Sequence, residues 1–145
     1  MIDLTVSKFN TIITSGAYVG EEIQAEFGRI PPAFLPIGAS FLFRHQLREI
    51  ENRSHIWISL PKDYCLTSSQ ERILKDSAVN IIWVDPKKSL GESVFQAILE
   101  VGPDLPLEII HGDTLVLGLE KFEIDTVSIS EATAHYSWGV VQSEG

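Results

Sequence analysis

Short runs of apolar and β-branched residues recur along the chain, each stopped by Gly, Pro or Asp, with amphipathic stretches between them. Phe9-Asn10-Thr11-Ile12-Ile13-Thr14, His55 to Leu60, Asn80 to Val84 and the run beginning at Leu107 predict strands. They are continuous rather than strictly alternating, which is the pattern of strands buried on both faces. Between them the polar positions take a helical period. Glu21 to Phe27 predicts a short helix with acid in its first turn, and Ser40 reads as the N-cap of a helix from Phe41 to about Glu51. On that second helix Phe41, Phe43, Leu47 and Ile50 are expected inward, with Arg44, Gln46, Arg48 and Glu49 mostly outward. A third helix, Gln70 to Ser77, is capped by Thr67 or Ser68. A fourth opens at Ser89-Leu90-Gly91-Glu92-Ser93 and ends at Gly102-Pro103. Ile30-Pro31-Pro32 predicts an extended segment, followed by an apolar loop from Ala33 to Gly38.

Strand, helix, strand, helix, strand, helix, strand is the order of an α/β domain, a largely parallel sheet with helices on both faces. Past Asp113 the texture changes. Thr114 to Leu119 is apolar, Asp125 to Ser130 alternates with period two, and His135 to Val141 is another strand-like run. Two strands with no helix between them predict an antiparallel C-terminal hairpin appended to the parallel sheet. With no internal repeat or linker, residues 1–145 read as one domain.

Charge narrows the partners. Twenty acidic residues against eleven basic ones leave a net charge of -9, and the basic residues are scattered, so nucleic acid is a poor partner for this field. No apolar segment is long enough for membrane insertion, and the N-terminus lacks a secretion signal, so a cytoplasmic protein is expected. Cys65 is the only cysteine, which excludes an internal disulfide and a thiolate metal cluster. It reads as a buried or half-buried small apolar residue.

The candidate chemistry gathers where strands end. Leu107 to Ile110 stops at His111-Gly112-Asp113, which delivers a carboxylate to the carboxyl end of a strand, where open α/β sheets bind ligands. The plain alternative is a strand-ending turn, which Gly and Asp favour on backbone grounds. Ser15-Gly16-Ala17-Tyr18-Val19-Gly20, between the first strand and the first helix, has the small residues that expose amides to an anion, and any strand-to-helix turn favours such residues too. His45 and His111 read as packing or surface histidines. His135-Tyr136-Ser137-Trp138 is an aromatic stretch suited either to packing or to stacking on a sugar or base.

Three segments together resemble the sugar-nucleotidyltransferase family. Pro31 to Gly38 is similar to the family's PKxLLPxxG segment, Leu90-Gly91-Glu92-Ser93-Val94 to its LGTAxA segment, and His111-Gly112-Asp113-Thr114 to the strand-ending GD. The resemblance implies a three-layer, Rossmann-like nucleotidyltransferase fold of the α/β class. It also implies transfer of a nucleotidyl group from a nucleoside triphosphate to a sugar phosphate, in sugar-nucleotide or surface polysaccharide biosynthesis. On the same basis Asp113 is the catalytic, Mg²⁺-holding residue, and Ser15, Gly16, Ala17, Gly20, Gly91 and Glu92 are the nucleotide-binding set. The likeness has gaps. No arginine follows the first loop where the family's GxGTR has one, and Pro32 stands in the place of the family's lysine, so Arg29 or Lys62 is needed as a substitute cation. Asp125 is a candidate second carboxylate. The chain is expected to be the N-terminal portion of a longer protein, with apolar surface that permits a homo-oligomer. The alternative is a degenerate binding or interaction domain without activity. A dinucleotide-binding oxidoreductase is disfavoured because no GxGxxG follows the first strand.

Overall fold

The computed structural model describes residues 9–50, 53–102, 104–118, 126, 127 and 129. The strands are β1 (Phe9–Thr14), β2 (Pro36–Ile37), β3 (Ser40–Phe41), β4 (Arg53–Pro61), β5 (Val79–Val84) and β6 (Leu107–His111). The helices are α1 (Glu21–Phe27), α2 (Leu42–Glu49), α3 (Ser68–Asp76) and α4 (Leu90–Val101), with a 3-10 turn at Pro32–Phe34. The fold is mixed α/β. β1, β4, β5 and β6 form one parallel sheet in the order β5-β4-β1-β6, and β2 pairs antiparallel with β3 in a small second sheet.

β1, β4 and β5 bury side chains on both faces, which is why their sequences are continuous apolar runs, while the edge strand β6 only half-buries Leu107 and Ile110. In β1, Ile13 joins Ile56, Ile58 and Leu60 of β4 beneath α2 and α3, where Phe43, Leu47 and Leu74 close the layer. Ile12, one residue earlier, points the other way and packs with Ile82, Val84 and Ala97 beneath α4. The two layers of helix and the sheet between them make three layers. Burying side chains of this size stabilises by about 1.5–3 kcal/mol each. One polar member of β1 finds its partner in the sheet itself: the Thr11 hydroxyl donates to Glu108 Oε2 at 2.9 Å, across the β1–β6 pairing that sets the two residues side by side.

Local chemistry accounts for the helix ends. α3 begins with a capping box in which Thr67 Oγ1 accepts from the Gln70 amide while the Gln70 side chain accepts from the Thr67 amide. Ser89 and Glu92 do the same for α4, which stops at Gly102 with φ at 84°.

Several expectations are corrected. Ser40 is not the cap of α2. It pairs with Ile37 in a hairpin that turns at Gly38, where φ is 58°, so its backbone belongs to a ladder, and the helix starts at Leu42 with Phe41 as N-cap. The Pro31–Gly38 segment is therefore not a plain loop. Pro31 is extended, as its position before Pro32 requires, but Pro32 opens a 3-10 turn that drops Phe34 among Phe41, Phe43 and Tyr64. Gln46, expected outward, is 2% exposed. Cys65 is exposed rather than buried. The expected C-terminal hairpin, Asp125, and the His135 to Trp138 stretch lie outside the described residues. Among those residues, no helix is long and apolar enough to cross a membrane.

Candidate functional site

Because the four long strands are parallel, their carboxyl ends form one rim, and the loops after β1, β4, β5 and β6 all emerge there. The chain lays β4 and then β5 on one side of β1, returning through α2 and α3 on one face. It then crosses by α4 on the opposite face to place β6 on the other side of β1. The strand order thus reverses between β1 and β6, and an open α/β sheet leaves its ligand crevice outside such a reversal. Asp113 and the Ser15–Gly20 loop follow these two neighbouring strands.

Asp113 is solvent-exposed, and the Thr114 hydroxyl donates to its Oδ1 at 2.9 Å. Its position is built from beneath. The Gly112 amide donates to the Thr14 carbonyl at 2.9 Å, extending the β1–β6 pairing by one residue. A Cβ at Gly112 would sit 2.3 Å from that carbonyl oxygen, so only glycine allows the two strand ends to approach. From α2, Gln46 Nε2 donates to the carbonyls of His111 and Thr114, each at 2.8 Å, and Glu49 Oε2 accepts from the Gly118 amide at 3.2 Å. Sequence reading missed Gln46 because a glutamine among charged helix residues carries no outward sign of burial.

The first loop leans the other way, over β4 toward β5. Ser15 is 1% exposed; its amide donates to Ser59 Oγ and its hydroxyl accepts from the Ala33 amide, so both groups are spent inside the fold. A Cβ on Gly16 would lie 2.2 Å from Val84 Cγ2, which explains the glycine by packing against β5. Ala17 and Gly20 are exposed. Beyond them, Val19 and Ile30 are joined by a backbone hydrogen bond, so α1 is an excursion on the rim with no buried residue, and its first turn holds Glu21 and Glu22. Two carboxylates there oppose an anion at that helix end.

Gly91 and Glu92 lie in the first turn of α4, on the same rim, after β5. β5 and β6 are the two edge strands of the sheet, three spacings apart, so their ends are separated by roughly 14 Å. Gly91 has open space where a Cβ would stand. Glu92 is engaged in its capping box, where the Ser89 amide and then the Ser89 hydroxyl hold its carboxyl below the usual range. The structure thus brings Asp113 and the β1 loop to adjacent strand ends, and sets Gly91 and Glu92 toward the far edge of the same rim.

Arg29 and Lys62 also reach this rim, and each already holds a carboxylate. Arg29 meets Asp63 at 3.1 Å, its guanidinium carbon 3.7 Å from the centroid of the Tyr18 ring, while the Tyr18 hydroxyl donates to the other Asp63 oxygen at 2.7 Å. Burial, then the bond to Asp63, pushes the Tyr18 hydroxyl up to about 12. The Tyr18 bond, with Arg29 behind it, holds the Asp63 carboxyl below the usual range. Lys62 Nζ lies 2.7 Å from Asp85, whose carboxyl it lowers together with the Lys87 amide. Among the described residues no group of three or more His, Cys, Asp or Glu side chains stands close enough to hold a metal ion between them.

No family model matches the chain, and no curated protein matches it. Among solved structures it is similar to UDP-glucose pyrophosphorylase complexed with UDP-glucose, with a TM-score of 0.48 and 18% identity over 73% of this chain and 46% of that one. This chain therefore spans less than half the length of that enzyme.

Proposed function

We propose that this is a nucleotidyltransferase-like domain of sugar-nucleotide metabolism, with its nucleotide phosphates bound at the β1/β6 rim. The observation that supports this is the strand-order reversal, which sets the exposed Asp113 carboxylate beside the loop that follows β1. One carboxylate suits Mg²⁺, which binds through one or two protein carboxylates plus phosphate oxygens and keeps several waters. Asp113 fits that role, since a hydrogen bond from Thr114 orients the carboxylate while leaving it exposed. The ion would supply neutralisation of phosphate charge. The chain's own contribution is to position Asp113 through Gly112 and Gln46 and to leave Ala17 and Gly20 exposed in the loop after the neighbouring strand. Gly91 leaves open backbone farther along the rim, where a base is accommodated in this reading.

The second reading, a binding domain without turnover, is favoured by the state of the two cations. Arg29 and Lys62 already neutralise Asp63 and Asp85. Stabilising the charge of phosphoryl transfer needs cations free to face the phosphates, and that contribution reaches several powers of ten in rate. Two measurements separate the readings. Calorimetry with Mg²⁺ and each nucleoside triphosphate is expected to show binding that Asp113→Asn abolishes; no binding to the folded protein overturns both. Pyrophosphate release with a panel of sugar 1-phosphates then decides: turnover establishes the transferase, and binding without turnover establishes the degenerate domain.

A further inference from the structure

The opposite rim of the sheet holds a cavity with its own polar chemistry. It measures about 230 Å³ and is lined by Asn10, His55, Trp57, Val101, Asp104 and Leu105. By register Asn10 stands beside His55, and Ile12 beside Trp57, so Asn10, His55 and Trp57 share the α4 face near the amino ends of β1 and β4. α4 runs back across that face, so its carboxyl end, Val101, roofs the cavity, and Asp104 and Leu105 form its wall on the way to β6.

Two of these wall residues each carry a buried polar atom that has no partner among the described residues. Asn10 is 6% exposed and its Oδ1 accepts no hydrogen bond; Trp57 Nε1 donates none. Burying such a group unpaired costs about 1–3 kcal/mol. The orphans are of opposite sense, an acceptor and a donor. A hydroxyl satisfies either, since it donates one hydrogen and accepts through two lone pairs. Across the cavity from His55, two parts of the wall disfavour an anion: the exposed Asp104 carboxylate and the last carbonyls of α4 both carry negative charge. At about 30 Å³ per water-sized group, the space takes roughly eight such groups, fewer than a nucleotide and comparable with one small ring.

We propose that this cavity is a binding site for a small neutral polyol, such as a single sugar ring, with one hydroxyl accepting from Trp57 Nε1 and another donating to Asn10 Oδ1. The site is distinct from the carboxyl rim, and its occupancy does not depend on the reading given to Asp113.

The indole N–H signals of isotope-labelled protein test this, the Trp57 signal being identified by its loss in Trp57→Phe. Titration with myo-inositol, glucose and galactose is expected to move that signal saturably with at least one of them, while the Trp83 signal stays still. Glucose 1-phosphate is expected to bind about tenfold or more weakly, and Asn10→Leu to weaken the neutral ligand by about tenfold or more. The proposal is overturned if none of the three neutral ligands moves the Trp57 signal, if Asn10→Leu leaves binding unchanged, or if the phosphate ester binds as well as the sugar. Should Asn10→Leu fail to fold, Asp104→Asn on the exposed wall decides. It is expected to narrow the preference for the neutral sugar over its phosphate, and an unchanged preference overturns the proposal.

Discussion

Replacing Gln46 tests whether the Asp113 turn is held from α2. In Gln46→Leu the carbonyls of His111 and Thr114 each lose a 2.8 Å bond. Two net hydrogen bonds are worth about 2 kcal/mol together. Two features of the site reduce that figure. The His111 carbonyl retains the Thr114 amide at 3.3 Å, and Gln46 Oε1 is itself buried without a partner among the described residues, so leucine removes an existing cost as well as a benefit. The expected loss is about 1 kcal/mol, or roughly 2–4 °C in Tm for a chain of this size. Gln46→Glu is expected to cost more, about 2 kcal/mol or above, because an ionised carboxylate donates nothing and faces two carbonyl oxygens. Urea denaturation gives the two free energies, and amide exchange across residues 112 to 117 shows where the loss falls. If leucine proves as costly as glutamate, or if exchange in that turn stays unchanged in both variants, the clamp is not what holds Asp113.

Four further outcomes follow from the geometry. Gly112→Ala is expected to destabilise by about 2–3 kcal/mol, because its Cβ would meet the Thr14 carbonyl at 2.3 Å. Gly91→Ala, with open space in the first turn of α4, is expected to be neutral or to stabilise by up to about 1 kcal/mol; a common denaturation series compares the pair. Ser89→Ala removes the hydroxyl from the α4 capping box and is expected to cost about 1 kcal/mol by thermal melting, a loss absent if the cap contributes nothing. In an alkaline titration followed by tyrosinate absorbance, Tyr18 is expected to ionise near its raised value of about 12, and Asp63→Asn to bring it down. Its contribution to stability is full below the ordinary value near 10 and is lost as pH rises through about 12. Ionisation of Tyr18 at the ordinary value contradicts the hydrogen bond to Asp63.

The amino-acid sequence by itself determined the strands at Phe9, His55, Asn80 and Leu107 and the helix starts at Thr67 or Ser68 and at Ser89, because a run of β-branched residues or a hydroxyl shortly before a Glu or Gln acts on its own neighbours. It also placed a carboxylate at the end of the last described strand. Tertiary structure decided which strands are neighbours. Nothing within Leu107 to His111 says that it pairs with β1 and so sets Asp113 at the strand end next to the first loop's, since that pairing joins residues nearly a hundred positions apart. The same holds for the glycines and the polar partners. Gly16 reads as a flexible phosphate-loop residue until Val84 is found against it, and Arg29 and Lys62 read as spare cations until Asp63 and Asp85 are found beside them. Ser15 turned inward and Gln46 became the support of the turn for one reason: a buried polar group is satisfied by whatever the fold brings within hydrogen-bonding distance, and that distance is set by packing rather than by sequence separation.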